Sequence, residues 1–90
     1  MSHICEEADG AVDYAQKAVT FSSRPNIHKM YAEMANDEIK HAKYLIKIGK
    51  IMMEEEKSSD MISKMWLKCI KYVKDQETAV SLLLDEAGTT

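Results

Sequence analysis

One proline and three glycines are the only strong helix breakers in ninety residues. That scarcity limits where the chain can turn and selects long helices over the many short strands of an all-β fold. Turn residues gather at two places. Phe21-Ser22-Ser23-Arg24-Pro25-Asn26 holds the sole proline, which suits the first turn of a new helix. Lys57-Ser58-Ser59-Asp60 offers serine caps with an acid in the opening turn. Gly88 then follows the last periodic segment as a C′ residue. The sequence therefore predicts an all-α chain with helices over about 3–22, 26–57 and 59–87. Their short connections make neighbours antiparallel, up, down and up, in a single domain over 1–90. Gly49 falls inside the second helix, where a glycine marks a bend or is simply tolerated, and it reads as the latter.

Composition narrows the class. Apolar residues at 46% and charged residues at 30% are globular values. No stretch is long and uncharged enough for a transmembrane span, and the start, Met1 to Gly10, is acidic where a signal peptide would be basic. Cys5 and Cys69 are too far apart in sequence for a metal knuckle or a disulfide framework, and they read as reduced thiols in a cytoplasmic protein. A net charge of −3 argues against nucleic acid as a partner.

The informative feature is what interrupts the apolar seams. Steps of three and four along the second helix pick out Tyr31, Met34, Glu38, His41, Leu45, Ile48 and Met52, which reads as a core-facing heptad line with two ionisable members. In the first helix the same steps give Ile4, Glu7, Ala11, Tyr14, Ala18 and Phe21. The third helix has a broader face. One stripe is Trp66, Ile70, Val73, Glu77, Val80 and Leu84; beside it run Ile62, Met65, Cys69, Tyr72, Gln76, Ala79 and Leu83. Counting outward from turns near residues 24 and 58 sets Glu7, Glu38, His41 and Glu77 within about one helical turn of height.

A carboxylate buried among apolar neighbours needs a partner cation. Lys40, Lys43, Lys47 and Lys50 lie off the 31–52 line and read as a solvated face. The expected neutraliser of Glu7, Glu38, His41 and Glu77 is therefore a metal ion, and carboxylate with imidazole suits iron, manganese or zinc. Simpler readings stand beside this one. Glu7 and Glu6 can favour a helix N-terminus, Glu77 can pair with a lysine, and a rotated seam can leave Glu38 half-exposed with His41 a satisfied core histidine. His3 and His28 read as surface residues near helix starts, Cys69 as a buried thiol, and Trp66 with Met30, Met34, Met52, Met53, Met61 and Met65 as packing.

Glu7 on one helix with Glu38-x-x-His41 on the next resembles one half of the ferritin-like di-iron carboxylate motif. The likeness covers about residues 4–45 and is closest to rubrerythrin-like chains and their small phage-borne relatives. It departs from the full pattern in lacking a fourth helix, a second Glu-x-x-His and a rubredoxin-type cysteine tail; residue 80, three after Glu77, is a valine. A symmetric homodimer would supply the missing half, as in the similar encapsulated ferritins, giving a bundle completed by dimerisation. The resemblance implies an iron centre with ferroxidase- or peroxidase-like chemistry or a storage role, with Tyr14 as a neighbour of the metal. Two other classes fit the same residues: a metal-free helical scaffold that uses its Met- and Trp-rich faces, and a binder of an anionic partner through the lysine row.

Overall fold

The structure, a computed structural model, describes residues 2–56 and 59–88. Among these are three helices and no strand: α1 (Ser2–Thr20), α2 (Pro25–Glu56) and α3 (Asp60–Glu86). Pro25 opens α2, where its missing N–H has nothing to bond in any case. Ser59 is extended and its hydroxyl accepts from the Ile62 N–H at 3.4 Å, so the cap expected before Asp60 is there. Lys57 and Ser58 of that turn lie outside the described residues. Gly88 has φ +82 and its N–H donates to the Asp85 carbonyl, the left-handed stop that a side chain would disfavour.

α1 packs on both other helices. It runs antiparallel to α2, with Glu7 beside His41 and Ala18 beside His28, and parallel to α3, with Cys5 beside Cys69 and Asp9 beside Tyr72 and Gln76. The molecule is a rod with extents of 50 × 19 × 16 Å. Its buried line is built largely from alanine: Ala8, Ala11, Ala15 and Ala18 of α1 face Ala32, Ala35 and Ala42 of α2, with Ile4, Ile39, Ile46, Val73, Val80 and Leu84 filling between. Small side chains let helix axes approach closely, and the contact energy then comes from near-backbone packing.

The buried line of α2 is not the expected one. It runs through Ala32, Ala35, Ile39, Ala42, Ile46 and Gly49, one residue on from the heptad of Tyr31, Met34, Glu38, His41, Leu45, Ile48 and Met52. One residue is a rotation of about 100°, so the larger side chains move to a flank. Tyr31, Glu38 and Leu45 are half-buried there, whereas Met34, His41, Ile48 and Met52 are exposed. In α1 the same competition buries Ala8 and Ala15 and leaves Glu7 and Tyr14 half-buried. The physical reason is that two helices must fit against α2, and only the small-residue line admits both.

Gly49 has a definite role. A Cβ at this buried position would come within 2.1 Å of the Trp66 ring, so glycine is what allows the indole of α3 to rest on the α2 backbone. Substituting Gly49→Ala should cost about 1–3 kcal/mol in overpacking, more than the roughly 1 kcal/mol gained in helix propensity. Urea unfolding followed by Trp66 fluorescence should show the lower midpoint and a red-shifted emission; an unchanged spectrum and midpoint would mean that the indole does not occupy this groove.

Candidate functional site

The candidate site is where the first two turns of α1 meet the middle of α2. Glu7 is half-buried, and its two oxygens face different imidazoles: Oε2 lies 3.8 Å from His41 Nδ1 and Oε1 lies 3.8 Å from His3 Nε2. Both separations exceed hydrogen-bond length. The Oε2 atom is shielded from solvent and has no hydrogen-bond partner among the described residues. A buried oxygen in that condition costs free energy unless a cation or donor satisfies it. One turn along α1, Glu38 comes against Gly10, its Oε2 3.6 Å from where a Cβ would stand, an ordinary contact distance. Glu7, Glu38 and His41 thus share the α1–α2 flank.

Glu77 does not lie with them. Lys43 Nζ binds its Oε2 at 2.6 Å on the α2–α3 side. The lysine row expected to be purely solvated therefore provides a partner for this acid. Among the described residues, no three His, Cys, Asp or Glu side chains of one chain are close enough to hold one ion. Tyr14 stands about 10 Å along α1 from Glu7 and stacks on Tyr31, with ring centroids 6.2 Å apart. Phe21 also stacks with Tyr31, with ring centroids 5.8 Å apart.

The pair spacing fits a bridging ion. Ligand atoms that each bond one metal at about 2.0–2.2 Å stand roughly 3–4 Å apart, and both Glu7–imidazole gaps fall in that interval. His3, read from sequence as a surface residue, is indeed exposed but leans toward Glu7 and Glu6 at i+4 and i+3. That spacing was visible in the sequence. His28 is different: its Nδ1–H donates to the Ala18 carbonyl at 2.8 Å, satisfying one of the open carbonyls at the end of α1.

On the α1–α3 side, the Tyr72 hydroxyl donates to Asp9 Oδ1, and Gln76 Nε2 donates to the same oxygen at 2.8 Å. The hydrogen bond to Asp9 holds the Tyr72 phenol above the ordinary tyrosine range, with desolvation and the Asp9 charge adding to it. Cys5 and Cys69 also meet on this side, Sγ to Sγ at 3.9 Å. No sequence spacing signals that contact, because it depends on the register of two helices that are not consecutive.

Comparison with known protein families, with curated proteins and with solved structures returns no match to this chain. No helix among the described residues is long and apolar enough to cross a membrane.

Two outcomes follow from this geometry. Replacing Glu7 by leucine removes an unsatisfied buried oxygen, so in chelator-treated protein Glu7→Leu should raise stability by about 0.5–2 kcal/mol in urea unfolding; a loss of stability would mean that the imidazole contacts hold the fold. A raised tyrosine pKa in the folded state stabilises it below the ordinary tyrosine range, and that contribution is lost as pH rises through the folded value. Ultraviolet titration should therefore show Tyr72 ionising above the ordinary tyrosine range, and Asp9→Asn should lower its pKa.

Proposed function

We propose that this chain is a ferritin-like metal-binding protein whose carboxylate–histidine centre is completed by a second copy of itself. The observation that carries the proposal is Glu7 Oε2, shielded from water, without a donor, and 3.8 Å from His41 Nδ1. A carboxylate in that setting favours a cation. Glu38 supplies a second carboxylate on the same flank, through its approach to Gly10.

One chain offers too few ligands, and α2 carries the means of adding more. Its outer seam, Ile27, Tyr31, Met34, Glu38, His41, Leu45, Ile48 and Met52, is half-buried or exposed along its length. Antiparallel pairing of this seam with its own copy sets Ile27 against Met52, Tyr31 against Ile48 and Met34 against Leu45. Glu38 of one copy then lies across from His41 of the other. Apolar residues meet apolar ones on the flanks and acid meets base at the centre, the complementarity that fixes register in helical pairs. Two copies of Glu7, Glu38 and His41 make four carboxylates and two imidazoles. Glu77 would join only by exchanging Lys43 for the ion.

In such a centre Glu7 and Glu38 neutralise the ion's charge, and His41 provides a neutral nitrogen donor aimed by the α2 backbone. Bound iron would supply electron transfer to O₂ or peroxide, the activity the family resemblance implies; manganese or zinc suits the same donors. A second reading, a metal-free interaction scaffold, draws on the apolar residues left open near the α2–α3 turn, among them Ile51, Met61 and Leu67.

Elemental analysis of purified protein, with Fe(II) titration and sedimentation mass, separates the two. The metal reading expects a dimer taking up about one ion per chain, a higher melting temperature with metal, and loss of uptake in Glu38→Ala and His41→Ala. Negligible uptake with an unchanged melting temperature for Fe(II), Mn(II) and Zn(II) would leave the scaffold.

A further inference from the structure

The second chemistry-bearing juxtaposition lies on the opposite side of α1 and involves neither imidazole nor carboxylate. Cys5 sits in the second turn of α1, half-buried; Cys69 is buried in α3, in the apolar cluster of Ile4, Ala8, Ala42, Ile46 and Val73. Both are free thiols, and their sulfurs touch at 3.9 Å across the α1–α3 interface. The chain has only these two cysteines, and helix packing has brought them together across 64 residues of sequence. The sulfurs are in contact at 3.9 Å, and a disulfide forms when they close to about 2.0 Å.

We propose that Cys5 and Cys69 form a redox-modification site that a hydroperoxide converts from a dithiol to an intramolecular disulfide. The two sulfurs have different roles because their surroundings differ. Burial and the contact with Cys5 push the Cys69 thiol up and keep it protonated. Cys5, the more accessible of the two, meets the oxidant. Its sulfur attacks one peroxide oxygen, the O–O bond breaks, and the thiol proton leaves with the departing oxygen, as water when the oxidant is hydrogen peroxide. This gives a sulfenic acid at Cys5. Cys69 sulfur then attacks Cys5 sulfur and releases the hydroxyl as water with the Cys69 proton. Two thiols have lost two electrons to one peroxide, and nothing else is consumed. The neighbouring thiol, already in contact, intercepts the sulfenic acid before further oxidation.

The bond joins the N-terminal turns of α1 to the middle of α3, closing a loop of more than sixty residues. It limits fraying of the helix end that carries His3 and Glu7. The site does not depend on metal binding and is tested on chelator-treated full-length chain. After stoichiometric hydrogen peroxide, thiol counting and intact mass should show both thiols lost together with no oxygen retained. Non-reducing peptide mapping should join Cys5 to Cys69 within one chain, and dithiothreitol should reverse it. The oxidised protein should melt roughly 5 °C or more above the reduced form. Cys69→Ser should instead leave a Cys5 sulfenic acid that dimedone traps. Retention of both thiols, a sulfinic or sulfonic acid at Cys5 in the unaltered chain, or disulfides only between chains would overturn the proposal. The wild-type mapping decides the matter even if a cysteine variant folds poorly.

Discussion

Close approach of three helices along a line of alanines is the constraint on which the rest of this structure depends. α2 must receive α1 on one side and α3 on the other within a rod only 19 × 16 Å across. The line that permits this is Ala32, Ala35, Ala42 and Gly49, with Ile39 and Ile46 between them. Once these small residues are turned inward, the bulkier heptad of α2 is carried to the flank by helix geometry alone. Buried area per residue is then low, because alanine removes little surface from water. The chain compensates with directional contacts between helices: His28 to Ala18, Lys43 to Glu77, and Asp9 to Tyr72 and Gln76.

The same constraint explains the uneven distribution of apolar side chains. Twelve large hydrophobic residues are exposed, including Met30, Ile48, Met61 and Leu67, whereas no large side chain is fully buried among the described residues. A monomer that hides alanine and shows methionine and isoleucine has its best apolar surface still available. The outer seam of α2 carries part of it in Met34, Ile48 and Met52, and its two polar members, Glu38 and His41, sit at the middle. That placement connects assembly with chemistry in the proposed centre: the residues that would set the register of two copies are also those that would ligate.

α1 has a different neighbour on each side, and each presents a different chemistry. Toward α2 it offers Glu7 to imidazole; toward α3 it offers Cys5 to a thiol and Asp9 to a phenol. Successive helical positions point in different directions, so acids and thiols only two residues apart serve separate interfaces. The proposed redox pair and the proposed carboxylate–histidine centre would therefore respond to different ligands while sharing one short helix.

The number, type and approximate limits of the helices were legible in the sequence, because breakers, caps and the Gly88 stop act locally. So was axial level: a fixed rise per residue sets Glu7 beside His41, and sets Glu77 at the height of the same stretch of α2. Rotation about each helix axis was not legible. A heptad of Tyr, Met, Leu and Ile competes with a heptad of Ala and Ile one residue on, and periodicity cannot choose between them; packing of two neighbours at once does. That choice exposed His41, paired Glu77 with Lys43 and turned Gly49 into the seat of Trp66; the meeting of Cys5 with Cys69 was decided separately, by the packing of α1 on α3. Rise is a property of one helix, whereas phase is settled only by what the helix must pack against.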